Sequence, residues 1–124
     1  MINEQVDAYA QNNIITAPPE KLVLMLYEGA LSFIDQAKET IQQGEIAKTN
    51  YLLSRSQKII NELRASLNFE AGDFAINLER LYEYMHFRLI QANIKKDVAI
   101  LNEITELLTE IKDSWAKGAC KIGV

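Results

Sequence analysis

Apolar residues recur at steps of three and four along most of this chain, which is the spacing that places side chains on one face of an α-helix. Four such stripes can be traced, over about residues 19–44, 45–69, 73–93 and 98–115. The first stripe consists of Leu22, Leu26, Gly29, Ala30, Phe33, Ala37 and Ile41, and the fourth of Val98, Leu101, Thr105, Leu108, Lys112 and Trp115. The pattern therefore predicts four amphipathic helices.

Residues with strong end preferences stand at the borders of these stripes. Pro19 suits the first position of a helix, and Gly44 can end one. Asp73 and Asp97 are natural N-caps for the third and fourth helices, and Asn93 can end the third in a left-handed conformation. Helices of about 20–25 residues with short connections must pack antiparallel to their sequence neighbours. We therefore predict an all-α fold, an antiparallel up-down four-helix bundle.

The chain divides into one bundle and two flanking segments. Residues 1–17 are rich in Asn and Gln with isolated apolar residues, which predicts an N-terminal arm that docks on the bundle or moves freely. The bundle covers residues 18–118, and residues 119–124 form a C-terminal tail. Glycine inside a helix costs about 1 kcal/mol relative to alanine, so Gly29 predicts close approach of a neighbouring helix.

Several apolar residues lie off the four stripes and exceed what one buried face per helix requires. They are Leu52 and Ile59 in the second helix, Ile76, Tyr84, Phe87 and Ile94 in the third, and Ile100, Ile104, Leu107 and Ile111 in the fourth. Two interpretations are open. Either these residues thicken the core, or they form a long hydrophobic groove that receives an amphipathic helix from a partner. In the second case the N-terminal arm could cover the empty groove.

Composition excludes several classes of function. The 124 residues include 13 basic and 17 acidic ones, a net charge of −4, and without a basic cluster nucleic acid is a poor partner. Two prolines and five glycines are too few for an all-β domain. The lone Cys120, the absence of a secretory signal and the lack of an apolar run of about 18 residues predict a cytoplasmic protein without membrane insertion.

Residues that could carry out chemistry are scarce in this sequence. Glu83 and His86 have the Glu-x-x-His spacing of di-iron bundles, but those sites need a second such pair, and His86 is the only histidine. The same shortage argues against nucleophilic triads, and no glycine-rich phosphate-binding motif occurs. We therefore expect no enzyme activity, no metal and no cofactor.

The sequence also contains runs of specific residues that resemble a known family. These runs are AYAQN at 8–12, TAPPE at 16–20, LMLYEGA at 24–30, YEYM at 82–85, RL at 88–89, ANIKKD at 92–97 and DSW at 113–115. They are similar to blocks of the FliS family, the flagellin-specific export chaperones, over nearly the whole chain. At Pro18 the family more often has Ser or Thr as a helix N-cap, so this cap differs.

The resemblance implies a chaperone of the bacterial cytoplasm that binds the C-terminal segment of new flagellin, prevents premature polymerisation and delivers it to the flagellar type III export apparatus. Flagellar export-gate components are a further candidate partner. The candidate flagellin-binding residues are Val6 and Tyr9 from the resemblance, and Leu52, Ile59, Tyr84, Phe87 and Ile104 from the apolar residues left over by the stripes. The alternative is a four-helix adaptor for an amphipathic helix of another protein.

Overall fold

The fold is a bundle of antiparallel helices, seen in a computed structural model that describes residues 19–117. Within that range the α-helices are α1 (Pro19–Gln42), α2 (Ile46–Ala65), α3 (Asp73–Lys95) and α4 (Val98–Ala116), with a 3₁₀ turn at Phe69–Ala71 before α3. Helices α1 and α3 each pack against both α2 and α4, so they occupy diagonally opposite corners. The prediction of an all-α antiparallel bundle is confirmed, and the predicted arm and tail lie outside the described residues.

Two glycines make the connections on either side of α2. Gly44 has a φ of 75°, and its N–H donates to the Ile41 carbonyl at 3.1 Å. Gly72 has a φ of 74° and occupies the N-cap of α3. Asp73 is therefore the first helical residue and not the predicted cap, because glycine adopts the positive φ that this sharp entry requires.

The connection between α3 and α4 lies further along the chain than predicted. Helix α3 continues past Asn93, and Lys96 takes the left-handed C-cap with a φ of 52°. The Lys96 ammonium donates to the Asn93 side-chain oxygen at 2.9 Å, which engages the amide expected to end the helix. Asp97 caps α4 as predicted, since its carboxylate accepts from the Ala99 N–H at 2.9 Å.

The core runs through the bundle and joins diagonal helices. The Tyr27 hydroxyl of α1 is hydrogen-bonded to the Tyr82 hydroxyl of α3, and both side chains are buried. The Tyr27 ring also meets Trp115 of α4 edge-on, with ring centroids 6.4 Å apart. A Cβ at Gly29 would lie 3.3 Å from Ile59 Cδ1 of α2, so the close approach predicted at this glycine is confirmed.

The buried faces of α1 and α4 are wider than the predicted stripes and are rotated from them. Leu22 and Leu26 of α1 are only half-buried. The buried apolar residues outside the predicted stripes are Val23, Met25, Tyr27 and Ile34 in α1, and Ile100, Ile104 and Ile111 in α4. Each helix packs against two neighbours, so it buries a broad sector and not a single line. None of the described helices combines the length and apolarity that crossing a bilayer requires.

Candidate functional site

Helix α3 is apolar on both of its sides. Its core side carries Leu78, Tyr82, Met85, Leu89 and Ala92, all buried. Its solvent side carries Ile76, Phe87, Ile90 and Ile94, all exposed, with Phe87 at 55% and Ile94 at 77%. At 100° per residue these four residues lie within about 60° of one another around the helix axis. We name this set the α3 apolar face.

The α3 apolar face is long and has charge at its middle. From Ile76 to Ile94 it spans about 27 Å at 1.5 Å per residue. Arg80 and Glu83 lie on the same side of the helix between Ile76 and Phe87, and both are exposed. The face therefore has apolar ends and one charge of each sign near its centre.

A hydrogen-bonded network borders the α3 apolar face on the α4 side. The Tyr84 hydroxyl donates to Glu103 Oε2 of α4 at 2.6 Å, and Arg88 Nε donates to Glu103 Oε1 at 2.9 Å. Arg88 Nη1 also donates to Gln91 Oε1 at 2.6 Å. The Tyr84 ring remains exposed at the edge of the face, so its hydroxyl is held in place while its ring is available for contact.

The charges in this network shift the pKa values of its members. The hydrogen bond from Tyr84, followed by that from Arg88, lowers the pKa of the Glu103 carboxyl. The same hydrogen bond to Glu103, with a smaller contribution from desolvation, raises the pKa of the Tyr84 hydroxyl. At neutral pH the network thus consists of an ionised Glu103 that accepts from a neutral tyrosine and a cationic arginine.

Polar pairs also border the α3 apolar face on the α2 side. The Arg64 guanidinium donates two hydrogen bonds to Glu79 Oε1, from Nη2 at 2.6 Å and from Nε at 3.1 Å. His86 Nε2 lies 3.4 Å from Asn61 Nδ2. The histidine that could have suggested a metal site is thus half-buried beside an amide. Over residues 19–117, no group of three potential metal ligands comes together.

The structure separates the predicted site residues into three groups. Phe87 lies on the α3 apolar face and Tyr84 at its edge. Leu52, Ile59 and Ile104 are buried in the core, which agrees with the first of the two interpretations of the leftover apolar residues, and they are not part of the α3 apolar face. All three belong to the single hydrophobic core cluster of the described residues. Val6 and Tyr9 lie outside the described residues.

Sequence reasoning missed four large exposed apolar or aromatic residues, namely Ile46, Tyr51, Phe69 and Ile90. Ile90 belongs to the α3 apolar face and follows Phe87 by three positions, a helical step that could have revealed it. Phe69 in the 3₁₀ turn and Ile46 at the start of α2 are also exposed. Phe69 is the predicted end of the second helix and Ile46 follows its predicted start by one residue, and the ends of a stripe carry no periodic signal.

A shallow groove of about 710 Å³ lies between α1 and α4, on the other side of the bundle. Its lining consists of Glu28, Leu31, Ser32, Asp35, Gln36, Lys38, Glu39 and Lys112. Two of its carboxylates already face lysines, with Lys38 Nζ 3.4 Å from Asp35 and Lys112 Nζ 4.0 Å from Glu28. An open groove with locally paired charges is a weaker candidate site than the α3 apolar face.

The chain is similar to known proteins over nearly its whole length. Residues 1–121 match the family model described as Flagellar protein FliS. The Flagellar secretion chaperone FliS of Bacillus subtilis is 39% identical over 114 residues, which cover 92% of this chain and 85% of that protein. The Flagellar secretion chaperone FliS of Salmonella typhimurium is 37% identical over 116 residues, covering 89% and 86%.

A solved structure shares the fold. It is described as the crystal structure of a flagellar chaperone from bacteria, with a TM-score of 0.76 and 23% identity, and the match covers 95% of this chain and 96% of that one. Over residues 19–117 the helical architecture agrees with the family match. The chain therefore belongs to the FliS family of flagellar secretion chaperones, which are not enzymes.

Proposed function

We propose that this chain is a cytosolic chaperone that binds the C-terminal segment of newly made flagellin on the α3 apolar face. Binding there prevents premature polymerisation and lets the chain deliver flagellin to the flagellar type III export apparatus. The observation that carries the proposal is an exposed apolar face on a helix whose opposite side already completes the core. Family membership supplies the class of protein, a flagellar secretion chaperone.

The shape of the α3 apolar face suits an amphipathic helix. A substrate helix of about 18 residues would match its length of about 27 Å. Such a helix would lay anchors spaced three and four apart against Phe87, Ile90 and Ile94. Its polar side would remain in solvent, and the bordering polar groups already have partners within the bundle. Binding would therefore bury apolar surface while the bordering groups keep their partners, and the substrate helix would need charged or polar groups opposite Arg80 and Glu83 at the middle of the face.

The same chemistry explains why the complex can be released for export. A segment that is unfolded before it binds can bury about 1,000–3,000 Å² while losing about 2–5 kcal/mol to ordering. The net affinity is then modest for the area buried. The substrate is held long enough to prevent polymerisation and can still be transferred.

The proposal also includes residues beyond the α3 apolar face. Val6 and Tyr9 are proposed as flagellin contacts because they match the arm positions of the family that the sequence resembles. Leu52, Ile59 and Ile104 support the site only from within the core. Flagellar export-gate components are proposed as partners of the loaded chaperone.

A calorimetric titration with two forms of flagellin tests the proposal. Full-length flagellin should bind with a stoichiometry near one, and flagellin that lacks its C-terminal segment should bind at least about a hundredfold more weakly. Equal binding of the two forms would place recognition elsewhere in flagellin. If neither form bound while a helical peptide from another protein did, the chain would be a helix-binding adaptor with a different partner.

A further inference from the structure

We propose that Arg80 and Glu83 determine which helices bind to the α3 apolar face, by favouring a partner with an acidic and a basic residue three positions apart. The acidic residue lies opposite Arg80, and the basic residue lies opposite Glu83. This inference rests on the proposed function in one respect, since it takes the C-terminal segment of flagellin to bind the face as a helix. It narrows what that helix must carry at its middle to opposite charges in a fixed order.

The contact positions along the solvent side of α3 repeat with the period of a coiled coil. They follow one another at steps of four, three, four, three and four, which is the spacing of positions a and d in a heptad. The six positions, all exposed, are Ile76, Arg80, Glu83, Phe87, Ile90 and Ile94. We name this set the α3 seam. A partner helix with the same repeat would pack along the whole seam at a small crossing angle.

Two adjacent positions of the α3 seam carry charge where a coiled coil normally carries apolar side chains. They are Arg80 and Glu83, which we name the central charges, with Ile76 before them and Phe87 after them. A polar residue at such a position weakens the pairing of two helices but fixes its register and its partner. The α3 seam is therefore built for selectivity at the expense of affinity.

The central charges differ from the charges that border the α3 apolar face. On the α2 side Glu79 is paired with Arg64 at 2.6 Å, and on the α4 side Arg88 is paired with Glu103 at 2.9 Å. Over residues 19–117, neither central charge takes part in an ion pair or a side-chain hydrogen bond. A helix that covers the central charges removes their water, and only opposite charges on that helix compensate for the loss.

The α3 seam also distinguishes the two directions in which a helix can bind. One apolar position, Ile76, precedes the central charges, and three follow them, at Phe87, Ile90 and Ile94. A helix parallel to α3 needs one apolar anchor, the acidic residue, the basic residue and then three anchors. An antiparallel helix needs the same elements in reverse order. Each direction of binding thus requires its own sequence pattern in the partner.

Designed helical peptides test the charge requirement on the full chain. Each peptide has about 22 residues, with leucine at the four positions that face apolar residues of the α3 seam, and each is made for both directions. The complementary peptide places glutamate opposite Arg80 and lysine opposite Glu83, the swapped peptide exchanges these two residues, and the neutral peptide has glutamine at both. In one of the two directions, fluorescence anisotropy should show that the complementary peptide binds at least about tenfold more tightly than the swapped one, with the neutral peptide between them.

Reversal of the central charges gives the sharpest arm of the test. The double variant Arg80→Glu with Glu83→Arg keeps the net charge of the chain and should bind the swapped peptide at least about tenfold more tightly than the complementary one. Lys58→Glu with Glu62→Lys is the matched control, because it exchanges an exposed pair on α2, and it should rank the peptides as the wild type does. A thermal melt checks that each double variant is folded.

The inference is refuted if the wild type binds the complementary and swapped peptides equally, or if the double reversal of the central charges leaves their ranking unchanged. It is also refuted if no peptide binds while flagellin does, because the α3 seam then accepts no heptad helix. If flagellin fails to bind while the peptides rank as expected, the proposed function is overturned and the charge requirement stands.

Discussion

Helices α1 and α3 occupy equivalent corners of the bundle, and their solvent sides are opposite in character. The solvent side of α1, which we name the α1 polar face, consists of Lys21, Glu28, Ser32, Asp35, Glu39 and Gln42, all exposed. The α3 apolar face occupies the corresponding place on the diagonal helix. Both helices pack against the same two neighbours, so each needs a similar apolar surface for the core. Helix α3 carries more apolar residues than this packing requires.

The difference indicates what the extra apolar residues are for. An exposed apolar patch contributes little to the stability of the isolated bundle and promotes unwanted association. Once covered by a partner, each large apolar side chain can contribute about 1.5–3 kcal/mol. The α1 polar face shows that this bundle can form a corner helix without such a patch. The α3 apolar face is therefore best understood as a surface for binding.

The largest expected effect separates the α3 apolar face from the core. Leu108 of α4 is fully buried, so Leu108→Ala should lower the free energy of unfolding by about 2–5 kcal/mol. Phe87→Ala removes a larger side chain but from solvent, and should lower it by less than about 1 kcal/mol. Urea unfolding of both variants measures this. If Phe87→Ala is the more destabilising of the two, Phe87 belongs to the core and the comparison of the two helices fails.

The second effect concerns binding. Phe87→Ala should weaken binding of a flagellin C-terminal peptide by at least about tenfold, or about 1.4 kcal/mol, because large aromatic residues dominate interface energies. Two control variants accompany this measurement. Tyr51→Ala removes another exposed aromatic, on α2, and Asp35→Ala alters the α1 polar face. Calorimetry should give both controls an affinity within about twofold of the wild type. If either control lost as much affinity for the peptide as Phe87→Ala, the α3 apolar face would not be the specific binding surface.

The fold was predictable from sequence to a greater extent than the site. Helical periodicity and end signals give four helices, and short connections give the antiparallel order. Finer features depend on competition between neighbouring residues. Gly72 replaces Asp73 as the cap of α3 because glycine accepts the positive φ, and Asn93 binds the Lys96 ammonium and does not end the helix.

Sequence alone separates the site from the core only in part. Tyr84 and Phe87 were selected by the same reasoning that selected Leu52, Ile59 and Ile104. The first two are exposed and the other three are buried. A stripe records the period of a helix but not how wide a sector its neighbours cover, and that width depends on packing in three dimensions. Only the structure divides the leftover apolar residues correctly.

The third effect concerns the N-terminal arm. Tyr9→Ala should weaken flagellin binding by at least about 1 kcal/mol, or about fivefold, with little change in thermal midpoint, because an aromatic in a polar segment suits an interface anchor. The opposing hypothesis is that Tyr9 only competes with flagellin for the bundle, and then the variant should bind more tightly. Calorimetric titration distinguishes the two hypotheses by the sign of the change in affinity. Unchanged or tighter binding of flagellin by Tyr9→Ala would refute the hypothesis that Tyr9 contacts flagellin.

The smallest expected effect concerns the polar border of the α3 apolar face. Hydrogen bonds from Tyr84 and Arg88 lower the pKa of Glu103 below its ordinary value of 4.5. A carboxyl whose pKa is lowered by folding stabilises the fold above its unfolded pKa, and this contribution disappears as the pH falls through the folded pKa.

The thermal midpoint of the wild type should therefore fall further between pH 7 and about pH 3 than that of Glu103→Gln, which has no charge to lose. Glu103 is partly exposed, so solvent screening should limit the difference to about 1–3 °C. Glu28→Gln is the matched control on α1, since Glu28 faces Lys112 at 4.0 Å and not at hydrogen-bonding distance. If Glu28→Gln changes the acid dependence as much as Glu103→Gln, the polar border of α3 is held no more firmly than the surface of α1.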